Sequence, residues 1–455
     1  MVKTKKSMDM LNGSIWDKII LFALPLAATS ILQQLFNSAD VAVVGHYSGN
    51  LAIAAVGVNT PIINILINLF VGMSIGANVV LAKFLGADNK EDASKTTHTA
   101  IVISVIFGIF IGIVGFLLAR PFLVLLNTQS DIIDMATLYL KIYFSGMPFI
   151  MLYNFENAIF RSKGDTKTPL IVLVIAGILN VGLNIFFVAV CGMNVEGVAI
   201  ATVISNIVSA IILFIILTKA EEGIKLDFKK LRIDMPILKQ IVKVGVPAGV
   251  QGTIFSLSNL FIVSALNELG SLTVAGNTAA MYYDLYIFFI VDAFGQAATS
   301  FVGQNYGAGN FKRCKKITWM SMAMGVVAGL IVAAILIIFP KFFLGLYTDD
   351  PQVISIGVTR LIIIGATACL NVIITAVSGT LRVYGYTILP VVITIFSVCG
   401  IRILWIYTAF AKVKTYTMLC WAYPISWLTC DIALLIIYLI DIKKVKKKFE
   451  VSSVN

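Results

Sequence analysis

Apolar residues run along the chain in long blocks, broken by short polar segments. Twelve blocks, at residues 15–39, 51–80, 96–118, 131–152, 168–190, 195–218, 237–264, 273–302, 316–339, 352–378, 386–411 and 415–440, are long enough to cross a bilayer as helices. In hydrocarbon every backbone N–H and C=O must be bonded within its own segment, so each block predicts a helix. The polar breaks are short, and none could hold a soluble domain. The pattern predicts an all-α integral membrane protein of twelve transmembrane helices.

The two halves repeat one another. Gly86 in Phe84-Leu-Gly-Ala-Asp-Asn89 matches Gly307 in Asn305-Tyr-Gly-Ala-Gly-Asn310, an offset of 221 residues (307 − 86). Arg161, Gly164 and Pro169 match Arg382, Gly385 and Pro390 at the same offset, and Pro25 matches Pro247 at 222. Glycines and prolines fixed at one spacing over half a chain mark a duplicated unit. Each unit has six spans, an even number, so the second enters the membrane in the orientation of the first. The expectation is two six-helix lobes, 1–218 and 237–440, related by a pseudo-two-fold axis along the membrane normal. Residues 219–236 form a cytoplasmic linker and 441–455 a basic cytoplasmic tail.

Composition sharpens this picture. Of 455 residues 59% are hydrophobic and only 13% charged, with a mean hydropathy of +0.95, against about 25% charged in soluble domains. The net charge of +11 does not point to nucleic acid, because the basic residues follow the membrane. One side collects Lys3, Lys5, Lys6 and Lys18, then Lys83, Lys90 and Lys95, then Arg161, Lys163 and Lys167, seven residues from Lys219 to Lys243, four from Lys312 to Lys316, Arg382, and five from Lys443 to Lys448. The other side holds Arg120, Lys341, Lys412 and Lys414. By the positive-inside rule both termini are cytoplasmic in a plasma-membrane protein. The lysines before the first span, with no small-residue cleavage motif after it, read as flanks of a retained helix rather than a signal peptide. The lysines from 443 to 448 read as an anchor that could also grip anionic lipid. Six unpaired cysteines and two histidines suggest neither a disulfide framework nor zinc, and no phosphate-binding Gly-Lys-Ser/Thr loop is present. No cofactor and no enzyme activity are expected.

Ionisable groups within spans cost roughly 2.5 to 3.5 kcal/mol each and so are candidates for function. Thr29, Gln33, Asn37 and Asp40 form one stripe on the first helix, ending on that helix's intramembrane carboxylate. Asn180 and Asn184 are four apart on the fifth helix, and Thr202 follows Gly197-Val-Ala-Ile-Ala on the sixth. Such oxygens suit Na+, or accompany a buried carboxylate that takes up and releases H+; the alternative is a hydrogen-bond cluster between helices. The repeat maps Asn37 onto Asn259 but Asp40 onto Ile262, so one half alone holds the acid. Asp284 and Asp292 stand eight apart on the eighth helix with Tyr282, Tyr283, Tyr286 and Phe288 nearby, a wall that could attract a lipophilic cation. Asn64, Asn68 and Asn371 join Gln33, Asn37, Asn259, Tyr283, Asp284 and Asp292 as candidate cavity residues. Glu156 is expected to pair with a nearby cation, and Lys141 and Arg360 to reach the outer interface; Arg402 and Asp431 lie deeper, and the sequence does not decide whether they cancel one another's burial cost as a pair.

Leu24-Pro25, Asn37-Ser-Ala-Asp-Val-Ala-Val-Val-Gly-His46, Gly86-Ala87, Arg161-Ser-Lys-Gly-Asp-Thr-Lys-Thr-Pro169, the Asn180 and Asn184 pair, Val302-Gly-Gln-Asn-Tyr-Gly-Ala308 and Leu381-Arg382 together resemble the multidrug and toxic compound extrusion (MATE) transporters over nearly the whole chain. The resemblance implies export of cationic or aromatic drugs in exchange for H+ or Na+, with the family's first-helix acid at Asp40 and its partners at Asn180, Asn184 and Thr202. One branch often carries Asp where this chain has Asn184. Another places acids in the seventh and tenth helices; here those positions hold Ser256, Ser258 and Asn259, and Asn371, leaving Asp284 and Asp292 as possible replacements.

The expectation is therefore a secondary antiporter, working as a monomer by rocking of two lobes, whose partners are an organic cation, H+ or Na+, and membrane lipid. A flippase for a lipid-linked sugar or other amphiphile is the alternative, and a basic cavity would signal it. A scaffold or receptor would leave Asp40 unexplained.

Overall fold

The computed structural model describes residues 8–452, with side chains to residue 442. Lys3, Lys5 and Lys6 and the side chains of Lys443 to Lys448 lie outside the described residues. Among the described residues eleven helices are long and apolar enough to span a membrane: α1 Trp16–Ser48, α2 Asn50–Gly86, α3 Lys90–Leu125, α5 Lys167–Val190, α6 Val195–Thr218, α7 Met235–Asn267, α8 Ser271–Gly307, α9 Phe311–Ile338, α10 Pro351–Tyr384, α11 Leu389–Phe410 and α12 Tyr416–Ile442. The twelfth, α4, consists of Ile133–Ser145 and Met147–Ser162, bent by 51°. Gly146 stands at the break, and Pro148, lacking an N–H, interrupts the bonding ladder just after it. The expected fourth span ended at residue 152; the helix instead continues to Ser162. No strand occurs among the described residues, and the protein is a multi-pass membrane protein.

The backbone explains the repeated turns. After α2 and α8 the chain turns through Asp88 and Gly309, both at positive φ. Asn89 and Asn310 then accept from the N–H of Asp92 and Arg313 and open the next helix. At the ends of α4 and α10, Gly164 and Gly385 adopt φ of 91° and 101°. There Asp165 N–H donates to Phe160 O and Tyr386 N–H to Leu381 O, closing both helices in the same way. The motif survives in both halves because a left-handed residue is needed at each place.

The chain forms two compact units, and the division falls inside helices. Ala28–Gly249 belongs to the first unit; Asp9–Ala27 and Val250 onward belong to the second. Both divisions lie a few residues after an intrahelical proline, Pro25 in α1 and Pro247 in α7.

Within the first unit α2 and α7 meet backbone to backbone. Gly72 and Gly76 face Gly245 and Gly249, with no room for a β-carbon on Gly72, Gly76 or Gly249. Small residues four apart permit such approach, where helices associate by packing rather than by hydrophobic exclusion. The segment 219–234 is strapped to the same unit. His98 Nε2 accepts from Asp227 N–H at 3.0 Å while Nδ1–H donates to Ser94 O at 2.6 Å, and Thr99 Oγ1 accepts from Asp234 N–H at 3.0 Å. Lys163 and Glu221 add an ion pair at 2.6 Å. In the second unit Asn305 Nδ2 donates to Met10 O and Arg313 to the carbonyls of Asn12 and Gly13, while Phe22 packs edge-on against Phe301.

Candidate functional site

Three helices of the first unit converge on Asp40. Phe36, one turn before it on α1, lies against Gly177 of α5, where a β-carbon would not fit, so α1 and α5 approach closely. The next two turns of α5 then carry Asn180 and Asn184. Gly197, Val198, Ala199 and Ala201, all buried, seat α6 beside α5 and present Thr202.

The resulting network is buried and continuous. Asn184 Nδ2 donates to Asp40 Oδ1 at 2.5 Å and to Asn180 Oδ1 at 3.3 Å. Thr202 Oγ1 donates to Asp40 Oδ2 at 3.1 Å, and Asn180 Nδ2 to Thr202 Oγ1 at 3.5 Å. Asp40, Asn180 and Asn184 are 7%, 6% and 0% exposed. Among the described residues no cation pairs with Asp40, so the carboxylate is held by neutral donors alone. Asn184 Oδ1 is buried without a hydrogen-bond partner. Asp40, that orphan amide oxygen, Asn180 Oδ1 and Thr202 Oγ1 together offer hard oxygen donors, the chemistry that suits Na+; a proton on Asp40 would equally remove the buried charge. Directly after Asn184 the helix widens into a π-helical stretch, Ile185–Val190, a local irregularity often found at functional sites. Ile406–Phe410, at the repeat-related place in α11, is also π-helical, as are Leu361–Gly365 and Ile395–Gly400.

The remaining polar residues of the first unit differ from this network. Gln33 and Asn37 on α1 and Asn64 on α2 are exposed, and Asn68 is half-buried. An amide exposed at mid-span is costly against lipid.

In the second unit Asp284 and Asp292 part company. Asp284 is buried in an ion pair with Arg360, Nε to Oδ2 at 2.7 Å, and Arg360 Nη1 donates to Asn277 Oδ1 at 2.6 Å, which also accepts from Tyr416. Asp292, half-buried, accepts from Gln296 at 2.6 Å. Tyr283 donates to Phe343 O at 2.5 Å, and Asn371 donates within its own turn, to Ala368 O. Asn259 is exposed and accepts from Arg402 at 2.8 Å.

Three sequence expectations, for Arg360, Glu156 and Arg382, are overturned, and the open question of an Arg402 and Asp431 pair is answered. Arg360 does not reach an interface; it is 5% exposed and neutralises Asp284. Arg402 and Asp431 form no pair: Arg402 bonds Ser426, Ser258 and Asn259, and both Asp431 oxygens lack hydrogen-bond partners. Glu156 is fully buried, and neither oxygen has a partner among the described residues. Arg382, expected in a loop, is buried in α10 and donates to Gln251, which donates in turn to Thr394 at 2.8 Å. Lys141 lies over the Phe116 ring at 5.3 Å.

Known proteins are similar to this chain in sequence and fold. The MatE family matches residues 25–186 and again 247–408, so the two matches begin 222 residues apart (247 − 25), the spacing of the internal repeat. A "probable multidrug resistance protein YoeA" of Bacillus subtilis is 26% identical over 410 residues, 89% of this chain and 88% of that one. A "probable multidrug resistance protein NorM" of Thermotoga maritima is 28% identical over 407 residues, 88% of this chain and 86% of that one. A solved structure of a multidrug resistance MATE family transporter in its outward-facing conformation superposes with a TM-score of 0.90 over 98% of this chain and 100% of that one, at 22% identity, a likeness of fold. With the family matched in each half and over most of its length, the chain belongs to the MatE family of membrane transporters.

Proposed function

We propose that this protein is a secondary antiporter of the plasma membrane that exports cationic or aromatic drugs in exchange for H+ or Na+. The observation that carries the reading is the Asp40 network, a buried carboxylate held only by neutral donors beside an orphan amide oxygen. A lone buried charge of this kind is costly, and binding of a cation removes the cost. Cation occupancy is thus coupled to the packing of α1, α5 and α6. The multidrug names of the relatives support a drug cargo. Both termini are cytoplasmic, residues 1–218 and 237–440 act as the rocking lobes about the linker 219–236, and the protein works as a monomer. A charge crossing the membrane potential releases about 2.3 kcal/mol per 100 mV, enough for tens-fold accumulation per ion.

The test is ethidium efflux from energised cells that lack their own exporters. Wild type is expected to extrude the dye until ionophores collapse the H+ or Na+ gradient, and Asp40→Asn to extrude none. Efflux unaffected by either ionophore, or equal in the variant, would refute the reading.

A further inference from the structure

Arg402 is 1% exposed in the interior of α11. Arginine stays charged in proteins and carries five N–H donors. Nε donates to Ser426 Oγ at 3.1 Å, and Nη1 to Ser258 Oγ at 3.3 Å and Asn259 Oδ1 at 2.8 Å. Nη2 donates to no acceptor among the described residues, and no carboxylate there lies within ion-pair distance of the group. The guanidinium rests 4.4 Å from the ring centroid of Tyr423, and that of Arg360 lies 5.4 Å from the same ring. Two buried arginines therefore face the Tyr423 ring, and Asp284 neutralises one of them, Arg360. One positive charge is left over. Leaving a buried charge without a counter-ion costs several kcal/mol, and hydroxyls, an amide and a ring face offset only part of it.

The repeat places this charge with some meaning. Thr202 of the Asp40 network corresponds to Tyr423 (423 − 202 = 221) and Asn184 to Trp405 (405 − 184 = 221), while Asn37 corresponds to Asn259 (259 − 37 = 222). Where the first unit holds a buried carboxylate, the second holds a buried guanidinium. Asn259 is exposed and Tyr423 half-exposed, so two partners of Arg402 border open space.

We propose that Arg402, with Asn259, Ser258, Ser426 and the face of Tyr423, binds an oxyanion: the carboxylate or phosphate of an amphiphilic solute, or a lipid headgroup. The unused Nη2 edge supplies the donors, in the planar geometry that matches such groups. This goes beyond the exchange reading, because it assigns a negative group to a ligand of the second unit, and binding is measured without any gradient.

The test uses full-length protein in phosphatidylcholine nanodiscs, titrated calorimetrically with 2-naphthoate and with its neutral counterpart 2-naphthylmethanol. Naphthoate is expected to bind saturably and at least tenfold more tightly than the alcohol, and Arg402→Gln to erase that preference. Asn259→Asp guards against a misfolded Arg402 variant, since it sets an internal counter-ion beside Nη1. It is expected to raise the melting temperature and weaken naphthoate binding at least tenfold. With soluble dihexanoyl-phosphatidylglycerol added as competitor to detergent-solubilised protein, weakened naphthoate binding would identify a lipid phosphate as occupant and unchanged binding a free solute. Absence of saturable naphthoate binding to wild type, or undiminished binding to a well-folded Asn259→Asp protein, would overturn the proposal.

Discussion

Removing the charge of Asp284 while leaving Arg360 in place should destabilise the second unit strongly. Breaking a buried pair typically costs about 3–5 kcal/mol, because one charge stays behind without its partner. The contact here is a single one, Nε to Oδ2 at 2.7 Å, and Asp284 Oδ1 is buried with no hydrogen bond. Arg360 also keeps Asn277 as a second acceptor. Asp284→Asn should therefore fall near the lower figure, about 3 kcal/mol. Asp284→Asn combined with Arg360→Met removes both charges and keeps an apolar side chain of similar length, so it should come within about 1 kcal/mol of wild type. The assay is the fraction of detergent-solubilised protein that stays monodisperse after heating, compared across wild type, each single variant and the pair. The single Asp284 variant is expected to melt several degrees lower and the double variant near wild type. A single variant as stable as wild type, or a double variant as unstable as the single, would refute the pairing argument. Ethidium efflux should survive in the double variant, since Asp284 and Arg360 neutralise one another.

Other expectations follow from particular contacts. Thr202→Val removes one hydrogen bond to a buried carboxylate, about 1.5 kcal/mol or more, and should raise the ion concentration for half-maximal efflux roughly tenfold without lowering folded yield. Gly249→Ala places a methyl group against the Leu69 backbone; separation of α2 and α7 should cost about 1–3 kcal/mol, read as lower thermal stability. His98→Ala leaves the Asp227 N–H without its acceptor, and trypsin should then cut faster at Lys225, Lys229, Lys230 and Arg232 than in wild type.

The spans were legible because hydrocarbon imposes one demand, an internally bonded apolar helix, that hydropathy reads directly. Where a span is buried in protein that signal fails. The second half of α4 carries Asn154, Glu156 and Asn157 yet is packed among other helices, so its apparent end at residue 152 was a change of surroundings rather than of structure. The repeat was legible because turns at Asp88, Gly164, Gly309 and Gly385 need a left-handed residue in each half. The residues of the Asp40 network were visible as polar positions one turn apart, while their hydrogen bonds, joining residues up to 162 apart in sequence, were not. The same holds for Arg360 and Asp284, 76 residues apart, where the eye falls on two isolated charges. The unit boundaries inside α1 and α7 left only Pro25 and Pro247 as traces.

The central claim is that Asp40 couples cation entry to drug exit. Its most direct test is ethidium transport by purified protein in proteoliposomes, with H+ and Na+ gradients imposed one at a time, for wild type and Asp40→Asn of equal folded yield. The account predicts transport by wild type under one of these gradients, and none by Asp40→Asn under either. Gradient-driven transport by the variant at the wild-type rate would contradict it.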